Sequence, residues 1–209
     1  MDWTTISSLA TAAGTLVLGV ATFASVRSAN RAARAAEGSL LAGLRPLLVP
    51  SRLQDPPEKV SYVDQHWLRI EGGHAVTEVT SEVIYLAMSL RNVGTGIGIL
   101  HGWVFYPERL SGDVDRPDPG HFQRLTRDIY VPAGDTGFWM SAFRDPASDE
   151  FVRARTAIAA RQALTIDLLY GDFEGGQRSV TRFALLPVGE DGWLTAAGRH
   201  WNIDRPQPR

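Results

Sequence analysis

The chain has 209 residues, which leaves room for one membrane segment and one domain of ordinary size. It contains no cysteine, so disulfide bonds, thiolate metal sites and cysteine nucleophiles are excluded. The formal net charge of −2 is unevenly spread, with +4 over residues 27–52 and −5 over residues 53–209. Because nucleic-acid-binding domains usually present a concentrated basic face, the mildly acidic main part argues against nucleic acid as a partner.

The N-terminal region contains an uncharged run that is long enough to cross a bilayer. Residues 6–26 read ISSLATAAGTLVLGVATFASV, and a helix of that length extends over about 31 Å, close to the ~30 Å hydrocarbon core of a membrane. Uncharged runs of this length are rare in soluble proteins, which disfavours a buried core helix. The preceding residues lack the basic charge of a cleaved signal peptide, and Trp3 suits the membrane interface. We therefore predict one membrane-spanning helix.

Arginines follow this run directly, and none precedes it. By the positive-inside rule, Arg27, Arg31 and Arg34 place the N-terminus outside the cell membrane and the domain of residues 46–209 in the cytoplasm. The alanine- and arginine-rich residues 27–45 predict that the helix continues until Pro46 disfavours it. The three arginines would then share one helix face. They would either contact anionic lipid headgroups or form a solvated face.

The predicted span also carries a pattern that permits self-association. Leu9, Leu16 and Phe23 recur every seven residues, and Ala10 with Gly14 forms a pair of small residues four positions apart. A homo-oligomer through the membrane helix is one interpretation. The alternative is that alanine and glycine are simply common in spanning helices.

The remainder of the chain alternates short apolar runs with turn signals, which is typical of a β-rich domain. Residues 82–90 are nearly all apolar, as expected of a central strand covered on both faces. DFEGGQ between two apolar runs is a hairpin signature, and Pro-Ala-Gly-Asp predicts a turn within another strand pair. The predicted strands read LLVP, VSYV, HWLRI, EVIYLAMSL, ILHGWVFY, DIYV, GFWMSAF, LTIDLLY and SVTRFALL.

One helix and one long loop interrupt these strands. Ser148 suits a helix N-cap, acidic residues follow it, and the helical pattern continues to about Gln162. Residues 107–120, with three prolines and three aspartates, predict an irregular loop. Trp193 and Trp201 in the C-terminal tail are expected to pack on the domain, and the last proline-rich residues to be loose. The predicted fold is mainly β, an antiparallel immunoglobulin-like sandwich with one inserted α-helix, after the transmembrane helix.

Several short motifs carry a resemblance that extends over most of the chain. After the basic-flanked span come Arg45-Pro46-Leu47-Leu48, then residues 90–96 with the sequence LRNVGTG, and later Tyr170-Gly171-Asp172. With these motifs the chain resembles a set of uncharacterised bacterial single-pass membrane proteins. The resemblance implies a membrane-tethered β-sandwich-like domain, and it implies no activity and no catalytic residues.

Other motifs favour structural interpretations over chemical ones. Gly94, Gly96 and Gly98 miss the spacing of a dinucleotide-binding loop and precede a strand, so we interpret them as a turn or bulge. The five histidines show no zinc-ligand spacing. Asp113, Asp115 and Asp118 share a loop, as calcium ligands often do, but no glutamate follows in register, so a solvated loop is the better interpretation. We assign no catalytic, cofactor-binding or metal-binding residue.

The most distinctive side chains are aromatic residues and arginines close together in the sequence. Tryptophan, tyrosine and arginine are the usual anchors of protein interfaces, although aromatics of a sandwich also fill its core. The sequence thus predicts a membrane-anchored, non-catalytic domain for protein–protein interaction or membrane-complex assembly. The alternatives are an unrecognised membrane-tethered enzyme and an envelope structural protein of reversed topology. The candidate interaction residues are Trp103, Tyr106, Arg109, Arg124, Arg127 and Trp139.

Overall fold

The computed structural model describes residues 2–111 and 113–204. Within the N-terminal helix, the side chains of residues 3–6, 9, 10 and 42 lie outside the description. The chain divides into two compact units between Gly43 and Leu44. The first unit is one helix, and the second contains all the strands.

Helix α1 extends from Trp3 to Gly43 without a break. Its segment Thr11–Leu41 is long and apolar enough to cross a membrane, and none of that segment is buried. Large apolar side chains such as Leu16 and Phe23 are about two-thirds exposed. The helix ends three residues before Pro46, as expected from the steric restriction that proline imposes on its predecessor. The predictions for the side chains of Trp3, Leu9 and Ala10 lie outside the described residues.

Nine strands of the second unit form one antiparallel sheet. Strand β5 is central, because it pairs with β8 along one edge and with β4 and the short β1 along the other. From β4 the sheet continues through β11, β10, β9 and β6 to β7. These strands are β1 Leu48–Pro50, β4 His74–Val79, β5 Ile84–Asn92, β6 Gly98–Tyr106, β7 Gln123–Val131, β8 Thr136–Phe143, β9 Leu164–Gly171, β10 Ser179–Val188 and β11 Gly192–Asn202.

The sheet curls around an apolar core. Trp103 of β6 and Trp139 of β8 come from distant positions in the strand order, yet their rings meet edge to face with centroids 5.4 Å apart. Phe143 completes this aromatic cluster at 5.5 Å from Trp103. Such edge-to-face pairs are favourable beyond the apolar area that they bury. The fold is therefore mainly β, as predicted, with its aromatic residues filling the inside of a curled antiparallel sheet.

A separate hairpin covers part of the outer sheet surface. It consists of β2 Glu58–Ser61 and β3 Trp67–Ile70. Tyr62, at its tip, donates a hydrogen bond from its hydroxyl to the Leu86 carbonyl at 2.8 Å and packs edge-on against Tyr85. Opposite residues of an antiparallel pair share a face. Tyr85 of β5 is paired with Ala142 of β8, so the hairpin lies over the outer face of both strands.

Helix α2, Asp149–Ala159, starts where the sequence predicts. The Ser148 hydroxyl accepts a hydrogen bond from the Phe151 N–H at 3.2 Å, which satisfies one free donor of the first turn. Its buried side chains, at helical spacing, are Phe151, Ala154, Ala157 and Ile158. The helix ends at Ala159 rather than near Gln162 because Arg161 adopts a left-handed backbone conformation, with φ at +53°.

Two local predictions differ from the structure. The C-terminal tail was expected only to pack through Trp193 and Trp201, whereas residues 192–202 form β11, which pairs with both β10 and β4. The small residues of its middle part, TAAG, hide the alternation of a strand. The runs on either side of the Pro-Ala-Gly-Asp turn are both strands, but β7 pairs with β6 and β8 pairs with β5.

Candidate interaction surface

Strands β7 and β8 are consecutive and adjacent, but no hydrogen-bonded ladder joins them in the described part of the chain. Each strand therefore keeps a free edge. At the turn end they approach closely, since a Cβ placed on Gly137 would lie 2.9 Å from Val131 Cγ2. Any other residue at this point would require the Val131 side chain or its strand to shift. We call the boundary between the two strands the seam.

Arg127 bridges the seam from β7. Its guanidinium donates to Met140 Sδ at 3.0 Å and lies 5.5 Å from the centre of the Phe138 ring. Phe138 and Met140 are two residues apart on β8 and share its outer face. At this position β7 and β8 are joined by side chains rather than by backbone hydrogen bonds. The backbone groups on this edge of β7 therefore lack the ladder partners that usually protect a strand edge.

Beyond Arg127 the seam opens into a cavity of about 140 Å³. One wall belongs to β7, the other to the tip of the β2–β3 hairpin, and the floor to the end of β8. Val63 stands at its rim with 85% of its surface exposed, and Tyr62 and Met140 are buried beneath it. We call this cavity the seam groove. Its lining residues are Tyr62, Val63, Arg124, Leu125, Thr126, Met140, Ser141, Ala142 and Arg144.

The seam groove is cationic within an acidic domain. Arg124 and Arg144 line it, and no acidic side chain appears among its described lining residues. The Arg124 side chain is exposed, and it has no ion-pair or hydrogen-bond partner in the described ranges. Since residues 53–209 carry a net charge of −5, this local excess of arginine opposes the overall charge. An anionic group entering the groove would meet an uncompensated guanidinium.

Arg144 is held in place by a carboxylate outside the groove. Its guanidinium donates to Asp64 Oδ2 at 2.7 Å, and the Tyr85 hydroxyl donates to the same oxygen at 2.7 Å. The hydrogen bond from Arg144 holds the pKa of Asp64 well below its usual range. The bond to Asp64 in turn raises the pKa of Tyr85. Asp64 is therefore ionised at neutral pH and offsets part of the Arg144 charge.

The structure corrects the predicted interaction surface in two places. Trp103 and Trp139 are 3% and 0% exposed and belong to the inner aromatic cluster. They are unavailable to a partner because they fill the curled sheet, where burial of a large ring is most favourable. Arg124 and Arg127 do lie together, on β7 along the seam. The sequence signal missed the hairpin tip at Tyr62 and Val63, which reaches the groove only through the tertiary fold.

The two remaining predicted residues lie elsewhere. Tyr106 is half-buried, and burial raises the pKa of its hydroxyl. Arg109 lines a different cleft, of about 390 Å³, together with Ser111, Thr165 and Arg182. This cleft runs between the loop of residues 107–120 and the outer face of β10 and β11.

Arg182 is a structural clamp for that loop. It forms a bidentate pair with Asp167, with both distances at 2.8 Å, and both side chains are almost completely buried. Its other N–H groups donate to the carbonyls of Ser111, Val114 and Asp115. A guanidinium has five N–H donors, and these five bonds use all of them. Arg182 therefore has no donor left for a ligand.

Two of the motifs that carry the resemblance, residues 45–48 and residues 90–96, contact each other through Asn92. Asn92 is completely buried, and its Oδ1 accepts from the N–H groups of Leu47 and Gly94 at 3.1 and 3.0 Å. Its Nδ2 donates to the carbonyls of Gly96 and Val131 at 2.7 and 3.0 Å. Four bonds satisfy the amide fully. Gly94 and Gly96 lie in the connection between β5 and β6, as predicted, and pack against the backbone of residues 44–47, whereas Gly98 is the first residue of β6.

Tyr170 continues this network under the first strand. Its hydroxyl accepts from the Leu48 N–H at 3.2 Å and lies 3.0 Å from Thr181 Oγ1 and 3.3 Å from His200 Nδ1. Burial raises the pKa of Tyr170 to about 12. Burial and the charge of Arg45 both lower the pKa of His200. The hydrogen-bonded side chains of Tyr170, Thr181 and His200 hold the segment that contains Leu48. All three side chains belong to packed strands.

The remaining predicted groups lie apart from the groove. Arg27, Arg31 and Arg34 are exposed along one side of α1, together with Phe23 and Asn30. Asp118 accepts a hydrogen bond from the Gly120 N–H and so caps a short 3₁₀ turn. Among the described residues there is no group of three or more His, Asp or Glu side chains placed to hold a metal ion. No family model, curated protein or solved structure matches the chain.

Proposed function

We propose that this protein is a membrane-anchored, non-catalytic module that binds another protein or holds a membrane complex together. The single observation that carries the proposal is the seam groove. It combines a free strand edge, an exposed apolar rim at Val63 and an unpaired arginine at position 124. Exposed strand edges usually bind something or are protected against doing so. Apolar groups rimmed by arginine are typical of protein interfaces.

The proposed orientation places the N-terminus outside the cell membrane and the domain in the cytoplasm. It is supported by the three arginines that follow the apolar run. A cytoplasmic membrane surface is rich in anionic lipids. Arg27, Arg31 and Arg34 are exposed on one side of α1, which supports their proposed role as headgroup ligands. Self-association through α1 remains part of the proposal on its small-residue pattern alone.

We further propose that the β-rich domain is a variant of the immunoglobulin-like sandwich. In this interpretation, β8, β5 and β4 form one layer and β6, β9 and β10 the facing one, with β11 joining them in a continuous sheet. The aromatic contact between Trp103 and Trp139 supports two facing layers. So does the burial of both faces of β5, whose outer face lies under the β2–β3 hairpin.

The function is tested by site-specific crosslinking in the native membrane. The chain has no cysteine, so a single cysteine carrying a photo-crosslinker can be placed at Thr126 in the groove, or at Arg155 on the exposed side of α2 as the matched control. We expect Thr126 to yield one discrete protein adduct that is absent from Arg155. Equal labelling from both positions, or no adduct from Thr126, would overturn the proposal.

The orientation has its own test. A reporter that is active only outside the cytoplasm, fused after Arg209, should stay silent, and the same reporter fused before Met1 should be active. The reverse result would favour the envelope protein of opposite topology.

A further inference from the structure

We infer that the seam groove takes an acidic, extended segment of the partner, which lies alongside β7 over the outer face of β8. This inference rests on the proposed function, because it names the chemistry of the partner for the same surface. Three features of the groove lead to it: the free edge, the spacing of its walls, and the sign of its charge.

The free edge selects an extended backbone. β7 is the last strand in the order of the sheet, and in the described part of the chain it forms a ladder with β6 alone. The ladder is irregular, because Leu100 pairs with Ile129 and Gly102 with Arg124, so residues 125–128 bulge opposite a single position of β6. A bulge bends its strand and interrupts regular pairing, so an added segment would pair with β7 beside the bulge rather than along a continuous ladder. The bulged residues Leu125 and Thr126 are those that line the groove.

The walls of the groove suit alternating side chains. Arg127 closes the seam on one side through Met140, so an entering segment is confined to the stretch from Leu125 toward Arg144. An extended chain advances about 3.3 Å per residue and points its side chains to alternate sides. An apolar residue can then face Tyr62, Leu125 and Met140, and its neighbours can face the arginines at the rim.

The charge of the groove selects acidic neighbours. Arg124 and Arg144 line it, Arg127 lies next to it on β7, and no acidic side chain is among its described lining residues. Asp64 is bonded to Arg144 and Tyr85. Arg144 is thus shared with Asp64, whereas the Arg124 side chain has no ion-pair or hydrogen-bond partner in the described ranges. A partner carboxylate would therefore pair with Arg124, in the bidentate geometry that arginine favours.

The charge argument disfavours two occupants from this chain. The C-terminal residues 205–209 read RPQPR, with two arginines and two prolines, and proline lacks the N–H that edge pairing needs. A second copy pairing antiparallel through its own β7, in the register that sets Arg124 opposite Arg127, would place like charges opposite each other, which is unfavourable. An acidic partner segment meets neither obstacle.

The inference is tested with the full chain in lipid nanodiscs and a displayed library of random decapeptides. We expect the enriched peptides to carry net negative charge and to alternate acidic with apolar residues. The leading peptide, labelled with fluorescein, should bind at least about tenfold more weakly to Arg124→Glu, which corresponds to ~1.4 kcal/mol. Arg155→Glu on α2 makes the same charge change outside the groove and should leave binding within about twofold. N-methylation of alternate peptide amides should also abolish binding.

Each other outcome contradicts the inference. Enrichment of neutral, basic or helix-patterned peptides would overturn it, as would equal weakening by Arg124→Glu and Arg155→Glu. If such peptides are enriched while Thr126 still forms its discrete membrane adduct, the binding function stands and only the acidic-strand chemistry fails. If neither experiment gives a signal at the groove, both proposals fail.

Discussion

The Asp167 carboxylate and the Arg182 guanidinium form a buried bidentate pair across β9 and β10, with both N–O distances at 2.8 Å. Burial raises the pKa of Asp167, and the hydrogen bonds from Arg182 oppose that shift. The same guanidinium fastens the loop of residues 107–120 through three carbonyls. One arginine thus joins the sheet to its longest loop.

Arg182→Ala should destabilise the domain by about 3–5 kcal/mol, because it leaves the Asp167 charge buried without its partner. The measurement is denaturant unfolding of the full chain, followed by tryptophan fluorescence. Arg178→Ala is the matched control, since its ion pair with Asp204 is solvent-exposed and should contribute only about 0–1 kcal/mol. Limited proteolysis should cut within residues 107–120 of Arg182→Ala first. An equal loss of unfolding free energy in the two variants would contradict the role of Arg182 in holding the loop.

Gly96→Ala should destabilise the domain at the contact between Gly96 and the first segment of the domain, Leu44 to Leu47. A Cβ at Gly96 would collide with the backbone carbonyl of Leu44, and backbone cannot yield as a flexible side chain does. Overpacking of this kind typically costs about 1–3 kcal/mol or more. Gly176→Ala is the control because nothing lies within 4 Å of its Cβ position. Thermal unfolding should shift to lower temperature for Gly96→Ala alone. An unshifted Gly96→Ala would mean that the Leu44 to Leu47 segment is not tightly packed.

Asn92→Leu tests the same junction chemically. The substitution removes four hydrogen bonds and leaves the N–H groups of Leu47 and Gly94 and the carbonyls of Gly96 and Val131 without their partner. Because each unsatisfied buried group costs about 1–3 kcal/mol, we expect a loss of at least ~3 kcal/mol in the free energy of unfolding. Asn202→Leu is the control, since its buried Oδ1 has no hydrogen-bond partner in the described part of the chain. A smaller loss of stability for Asn92→Leu than for Asn202→Leu would contradict a stabilising role for the four hydrogen bonds of Asn92.

The domain should lose stability on mild acidification. Burial lowers the folded-state pKa of both His200 and His101, so near and below their unfolded pKa of about 6.5 the unfolded chain binds more protons than the folded one. Stability is therefore highest above this pH and falls as pH drops from about 7.5 to 5.5. His200→Gln should reduce that slope in pH-dependent unfolding, and His101→Gln should remove a further part. A slope unchanged in the double variant would place its origin in other groups.

Anchoring should depend on the apolar run of α1. Replacing Leu16 and Val17 with arginine costs about 5–7 kcal/mol on membrane-insertion scales, so the double variant should leave the membrane pellet after a salt wash. Arginines at Val152 and Thr156, which are exposed on α2, make the same charge change outside α1 and should leave the protein in the pellet. Retention of both variants would reveal a second membrane-binding surface.

Local signals in the sequence predicted the elements that depend on neighbouring residues. The uncharged run predicts the long helix by its length, and Ser148 predicts the start of α2 because a cap acts within one turn. The nearly continuous apolar run at residues 82–90 predicts a strand covered on both faces, and β5 has this environment. In each case the relevant physics acts over a few residues.

The sequence by itself determined a mainly β domain after one apolar helix long enough to cross a membrane, since hydrophobic length and periodicity are properties of the chain. Only the tertiary structure decided which aromatics are inside. Trp103 and Trp139 face each other within the curled sheet, whereas Arg124 and Arg127 remain at its edge. The candidate groove arises because β7 and β8 pair with different neighbours and the β2–β3 hairpin packs beside them. Strand partners are chosen by long-range packing, which short sequence patterns do not encode.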